Sequence, residues 1–568
     1  MTYDLRTESW IPFLRASGKV EWLAPAMITD GLGTDPIVDL AAPRPDFNGA
    51  LAEFLIGLFT VALSPRDESD WYRLWEEPPP SGTLSAALAA LPAAFELDGE
   101  HARFMQDITA EDFEEKHRTT IDQLLLDAPG DQGIEFNTDL FVRAGRVTTL
   151  GAPAIAMALI AAQTYSPAGG KGYRTSMRGG GPLTTLVDPG DGSGGVRSLW
   201  HRLWSNAETT EQLLARGSRE SEVPPARIFP WMAPTRTSDE HGAGPTTIAD
   251  GDPAQAYFGM PSRVRVAFSP GGTCDITGRA EPVVAHEYRV RGYGVEYAGW
   301  IHPLSPRYRK SLSSESLPLH PKRGGLGWRD WSGMATDDPN GLRTRAPAVT
   351  HFVMHRAARV DASELRLWVF GYSFDQAKAE CWVDSRVPLF AIRNPERMAF
   401  LHDVADRLTQ ATRLMSSEVF FAVKRILQPG TQGDGFAKAL LQGRVWELTE
   451  GAFYRSMRDV ALDPSGALPA LGVSEAPFLA VLERAVFEVF DTAVAAAASG
   501  PLSMRRVVSG RYGLSGTLRG YGKSGNSLYG LLKIGVPHAA MKSSAAPKSA
   551  KSKRSRVTND AQPKGKVQ

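Results

Sequence analysis

The spacing of apolar residues changes character once along this chain, near Pro388, and that change constrains the fold more than any single motif. Downstream, apolar residues recur at helical intervals: Phe400, Val404 and Leu408, then Val419, Phe420, Val423 and Ile426, then the runs 437–446 and 478–494. Helical stretches of this length joined by short polar loops predict an up-and-down bundle. Gly510, Gly513, Gly520 and Gly522 are expected to break the pattern. Upstream the signals are mixed. Residues 1–23 read as two short strands around a Ser17-Gly18 turn, and 263–300, 349–354 and 365–372 also read as strands. Between them Leu51, Phe54, Leu55, Leu58 and Phe59 predict a helix capped by Asn48. Residues 86–95 are expected to be helical, Trp71–Trp75 with the prolines at 78–80 to be a surface excursion, and 205–250 to be irregular.

One glycine-rich stretch stands out, Ser166 to Val187 (SPAGGKGYRTSMRGGGPLTTLV). It places Lys171, Arg174 and Arg178 among Gly169, Gly170, Gly172, Gly179, Gly180 and Gly181. Glycines let backbone approach a partner closely, and successive N–H groups beside cations favour an anion. An apolar helix over 152–162 is expected to lead in, and a strand over 183–187 to lead out. The order helix, loop, strand is the reverse of a dinucleotide fingerprint, and the P-loop spacing is absent. A plain flexible surface loop is the competing reading. Two further stretches carry cations near aromatic residues. In PVVAHEYRVRGYGVEYAGW, Arg289 and Arg291 share one strand face next to Tyr293 and Tyr297, and His302, Arg307, Arg309, Lys310, Lys322 and Arg323 continue the basic theme. Residues 128–146 read as a long mobile loop in which turn signals frame Phe136 and Asn137, with Arg143 and Arg146 following.

Charge and composition narrow the function classes. Lys+Arg and Asp+Glu both number 63, so any nucleic-acid contact rests on local patches or on a partner's charge. Two cysteines, Cys274 and Cys381, exclude a disulfide framework and point to a reducing compartment. No apolar run is read as long enough to span a membrane, and a cytoplasmic location is expected. No zinc spacing, H-E-x-x-H or G-x-S-x-G pattern occurs. His351 and His355, read on a strand, stand too far apart to chelate one ion.

Several segments, taken in order, resemble the large subunit (CasA) of the type I-E CRISPR surveillance complex, Cascade. They are RTESWIPFL, GGKGYRTSMRGGGPLTTLV, YGVEYAGWIHPLSP and YSFDQAKAECW, followed by a helical C-terminal portion. The resemblance covers about residues 3 to 530. It implies a mixed α/β (α+β) N-terminal domain, 1–387, then an all-α C-terminal four-helix bundle, 388–535, then a basic tail, 536–568, that reads as disordered. It also implies a non-catalytic subunit of an RNA-guided antiviral complex. Such a subunit inspects duplex DNA for the protospacer-adjacent motif from the minor groove, helps unwind the target into an R-loop, and recruits a separate helicase–nuclease. The partners implied are the crRNA, the other Cascade subunits, double-stranded DNA and that nuclease, with no membrane.

By the same resemblance the DNA-binding residues are Gly169, Gly170, Lys171 and Gly172 of the glycine loop, with Arg174 and Arg178 after them. Arg291, with Arg289 second, takes the place of a lysine that enters the minor groove. Gln376, flanked by Asp375 and Ala377, takes the place of a wedge glutamine. The loop 129–146 brings Phe136 and Asn137. Two departures matter. Where some relatives carry zinc-binding cysteines this chain reads LGAPA (150–154), so no metal or other cofactor is expected, and the lysine is an arginine, whose planar guanidinium demands more of its geometry. A metal-dependent nuclease or hydrolase with an unrecognised site, or a purely structural scaffold, are the alternatives.

Overall fold

The computed structural model describes residues 2–109, 113–136, 142–169, 172–192, 195–217, 223–322, 325–360, 364–375, 377–427, 434–462, 467–497 and 503–537. Gly170, Lys171, Asn137, Arg323, Gln376 and the tail from 538 lie outside them. The chain divides into two compact units, Met1–Thr409 with Trp446–Pro469, and Gln410–Val445 with the residues from Ala470 onward.

The first unit is built around the helix Pro45–Leu63, which starts on a proline at its first turn and ends at Ser64 in a left-handed conformation (φ 39). Asn48 is not its cap. It lies inside the helix, and its Oδ1 accepts the Ala42 N–H at 2.8 Å, tying down the incoming strand. The helix is long and apolar enough to cross a membrane, unlike the reading from sequence, yet 83% of that window is buried inside the protein. Its Phe54 ring meets Trp10, Phe95, Phe104 and Phe258 edge-on, with ring centres 5.6–6.4 Å apart, the arrangement that aromatic quadrupoles favour. The helix Ala152–Tyr165 packs against it and is itself buried along most of its length.

Among the described residues the larger strands form three antiparallel sheets. Ile11–Arg15 lies between Val20–Leu23 and Ile37–Leu40. Arg366–Asp375 lies between Thr184–Asp188 and Lys378–Pro388. Ala280–Arg291 pairs along one edge with Arg263–Thr273 and along the other with Arg118–Thr120 and Leu150–Gly151.

Three local expectations fail for identifiable reasons. Trp71–Trp75 is no surface excursion. It lies in the helix Glu68–Glu76, where Trp71 and Trp75 are buried, and the Trp71 and Trp204 indole N–H groups each donate to the other's carbonyl at 3.1 Å. Residues 349–354 are not a strand. The helix Pro347–His351 passes into a π turn, Phe352–Arg356. Val349, Phe352, Val353 and Arg356 are buried, a helical interval that a short β-branched run disguises. The His351 and His355 rings consequently sit 4.5 Å apart. Residues 205–250 also carry more order than expected, with the helix Thr210–Arg216 and a fully buried Trp231.

The second unit is helical. It takes the C-terminal half of Pro395–Leu427, the N-terminal half of Asp434–Ala461, then Glu475–Ala496, Met504–Leu518 and Gly522–Leu532. Gly510 and Gly513 do not end the pattern but lie within a helix. A Cβ on Gly510 would meet Ile426 and Phe490 at 3.2 and 3.4 Å, so the missing side chain permits close helix packing there. Gly520, at positive φ, lies in the turn between the last two helices, and Gly522, also at positive φ, opens the last one.

Candidate nucleic-acid interface

The glycine stretch is anchored from inside. Glu53, on the core helix, accepts hydrogen bonds from Arg178 (2.6 Å), Tyr165 (2.8 Å) and Thr184 (2.8 Å), and Arg178 also donates to Thr184 and Ser305, both at 2.9 Å. The Arg178 and Glu53 side chains are 4% and 5% exposed. Burial pushes the Tyr165 hydroxyl far above its usual range and keeps it a donor. Every member of this cluster has partners, which a buried ion pair requires. Arg178 is therefore corrected: its guanidinium is spent on the interior and holds the base of the loop, and it is not presented to an outside ligand.

Above that base the backbone turns tightly. Gly181 N–H donates to Tyr165 O (2.8 Å) and Ser176 N–H to Ser166 O (3.1 Å). Gly181 has φ +61, and a Cβ there would lie 2.3 Å from Tyr372 O. Gly172, at φ +85, accepts a hydrogen bond from the Tyr293 N–H, and a Cβ on it would touch the Tyr293 ring at 3.2 Å. Tyr293 itself has φ 60, uncommon for an aromatic residue. The loop thus rests on the residues that follow Arg291, and Gly169, Tyr173 and Tyr293 are exposed. Arg174 bridges this turn: Nε donates to Ser238 Oγ (2.7 Å), and Nη2 pairs with Glu296 at 3.0 Å. Tyr297, expected in an aromatic patch, turns its hydroxyl inward to accept the Met260 N–H.

The strand Ala280–Arg291 carries Arg289 and Arg291 at its end. In register, Arg289 lies opposite Arg265 on one neighbour and Arg118 on the other, and Arg291 lies opposite Arg263. Directly paired residues share a face, so the two arginines seen in the sequence belong to a row of five. Arg263 is buried against Asp107, and Arg265 donates to the Asp107 carbonyl. Arg118 and Arg289 remain partly exposed. His302 does not extend the basic surface: burial holds its imidazole well below the ordinary range, so it stays neutral.

The other expected contacts stand apart in the chain. Asp375 and Lys378 close the hairpin of Arg366–Asp375 and Lys378–Pro388, and Asp375 and Ala377 are exposed while Gln376 lies outside the described residues. Phe136 is 68% exposed, following a short helix, Asp131–Glu135, within the stretch read as a loop. Arg143 and Arg146 line a cavity of about 320 Å³ with Arg44, Asp122 and Asp127. Among the described residues, no three His, Cys, Asp or Glu side chains are grouped to hold a metal ion.

A model of the family described as CRISPR-associated protein Cse1 matches residues 4–488. The chain belongs to the Cse1 family. No curated protein matches it. Among solved structures, Thermobifida fusca Cse1 aligns with TM-score 0.67 at 16% identity, covering 94% of this chain and 98% of the other. CasA from Thermus thermophilus aligns with TM-score 0.65 at 18% identity, covering 91% and 99%. A chain of a CRISPR RNA-guided surveillance complex aligns with TM-score 0.60 at 16% identity, covering 87% and 99%. At these identities the likeness establishes the fold: mixed sheets and helices followed by a helical C-terminal region. The Cse1 family match includes the glycine stretch, the arginine strand and the 366–388 hairpin, and ends before the last two helices.

Proposed function

We propose that this Cse1-family chain is the large, non-catalytic subunit of a type I-E RNA-guided surveillance complex, working in the cytoplasm with crRNA and the other subunits. It reads the motif beside the target in duplex DNA through the minor groove, helps open the duplex into an R-loop, and recruits a separate helicase–nuclease. The observation that carries this reading is the glycine loop seated on the end of the arginine strand, where Gly172 O meets Tyr293 N–H two residues beyond Arg291. Side-chain-free backbone reaches the floor of a narrow groove, and an adjacent arginine supplies the charge that such a groove attracts. Minor-groove patterns are degenerate, so several related motifs are accepted.

Gly169 to Gly172, Lys171 included, and Arg291 form the reading element, and Arg289 binds DNA beside it. Gln376 between Asp375 and Ala377 acts as the wedge, and Phe136 and Asn137 make the contacts of the 129–146 loop. Arg174 reaches DNA only by leaving Glu296. Sequence reading beyond the motif belongs to the guide RNA, which accommodates a chain of zero net charge.

The test compares guide-RNA complexes assembled with and without this chain, binding duplexes that differ only in the adjacent motif, at fixed salt. Motif discrimination that needs the chain, and that Arg291→Ala and Gln376→Ala weaken, supports the reading. Equal discrimination without the chain makes it a scaffold.

A further inference from the structure

One carboxylate on the arginine face is placed as a ligand's would be. Glu115, in the short turn Glu115–His117, divides its two oxygens between arginines on adjacent strands: Oε1 lies 2.8 Å from Arg118 Nη1 and Oε2 lies 3.4 Å from Arg289 Nη2. Arg118 also pairs with Glu287. The Glu115 side chain is 69% exposed, Arg118 52% and Arg289 37%, so the arrangement is open to solvent. Arg289 is poorly satisfied. Its Nη1 reaches the Phe113 carbonyl only at 3.5 Å, and its Nε is buried with no hydrogen-bond partner among the described residues. Arginines directly opposite one another across strands repel, and Arg265, Arg289 and Arg118 stand in one such row. A surface ion pair of this kind contributes little to stability, so exchanging its acid for another anion costs little.

We propose that Glu115 stands in for a DNA phosphate: Arg118 and Arg289 form a backbone-phosphate seat that Glu115 fills in the free chain and vacates when a duplex docks. The inference rests on the reading that this end of the sheet meets duplex DNA. The seat contacts no base edge, so it positions the duplex without contributing to motif choice. By occupying the seat, Glu115 lowers affinity for every duplex alike and limits time lost on DNA without the motif.

The test uses the full chain in the guide-RNA complex, with anisotropy measured on duplexes with and without a preferred motif between 50 and 200 mM salt. Arg118→Ala is expected to weaken both duplexes equally and to reduce the salt slope by about 0.9, which is roughly a threefold smaller loss of affinity over that range. Glu115→Gln is expected to strengthen both by a similar factor, leaving their ratio unchanged. Opposite signs are the signature, since a merely structural salt bridge would make both variants bind worse and melt lower. Variants that move binding in the same direction, or not at all, overturn the seat. If the complex lacking this chain binds both duplexes as well as the complete one, the interface reading itself fails instead.

Discussion

Removing the arginine that holds the glycine loop from inside should be costly even though it touches no ligand. Arg178→Met keeps most of the side-chain volume but leaves the Glu53 carboxylate, 5% exposed, with only Tyr165 and Thr184 as donors. Breaking one side of a buried ion pair costs about 3–5 kcal/mol, because the remaining charge is neither solvated nor paired. A value near 4 kcal/mol raises the population of locally opened loop roughly a thousandfold. The double variant Glu53→Gln, Arg178→Met removes both charges and should cost far less than the two single variants added together, with a coupling of at least about 2 kcal/mol. Hydrogen–deuterium exchange over 160–185 is the suitable assay, because a chain of two units does not unfold in one step. A single-variant cost below about 1 kcal/mol, or additive costs, would refute the placement of Arg178 as an interior anchor.

Gly172→Ala should strain the loop at φ +85 and press a methyl on the Tyr293 ring, costing about 1–2 kcal/mol locally and weakening motif discrimination more than overall binding; equal discrimination in the binding assay counts against the seating described. Burial opposes the Glu68 charge, but hydrogen bonds from His351 and Arg356 outweigh it and hold its carboxyl at about 2. Because that value is below the ordinary 4.5, its stabilisation is complete above about pH 5 and lost as pH falls toward 2; Glu68→Gln should flatten this limb of a stability–pH curve. Burial, then Arg197, lower His201 to about 4, so its neutral form stabilises the fold above about 6.5 and the benefit declines as pH falls to 4; His201→Asn should remove that earlier limb. A thiol reagent should label Cys381, which is exposed, and spare buried Cys274 until unfolding, as intact-mass spectrometry will show.

The sequence was most legible where one period ran long. The helices Pro395–Leu427, Asp434–Ala461 and Glu475–Ala496 and the paired strands Arg263–Thr273 and Ala280–Arg291 follow directly from spacing. Short apolar runs were ambiguous, as 349–354 shows, because three buried positions are too few to separate a helical period from a strand until their neighbours are known. The glycine stretch was visible as composition, but the division of its cations was not. Arg174 and Arg178 are four residues apart and look alike in sequence, yet one binds a surface glutamate and the other a buried one. What separates them is Glu53, 125 residues away from Arg178. A lone glutamate in an apolar helix was the available signal, since a buried charge demands a partner. Likewise Arg118 and Glu115 belong to the arginine face only through strand register, which no local pattern encodes.

The anchor of the glycine loop also sets an order of assembly. Its members are Glu53, Tyr165, Arg178, Thr184 and Ser305, so the last of them is made only after more than half the chain. During synthesis the core helix must wait, with a charged group in its middle, for partners that arrive late. Contacts between such distant positions close slowly, and until they do, an unpaired carboxylate discourages the apolar helix from packing against the wrong surface. None of the five lies in the helical C-terminal region, so a chain stalled within that region already carries the complete anchor set.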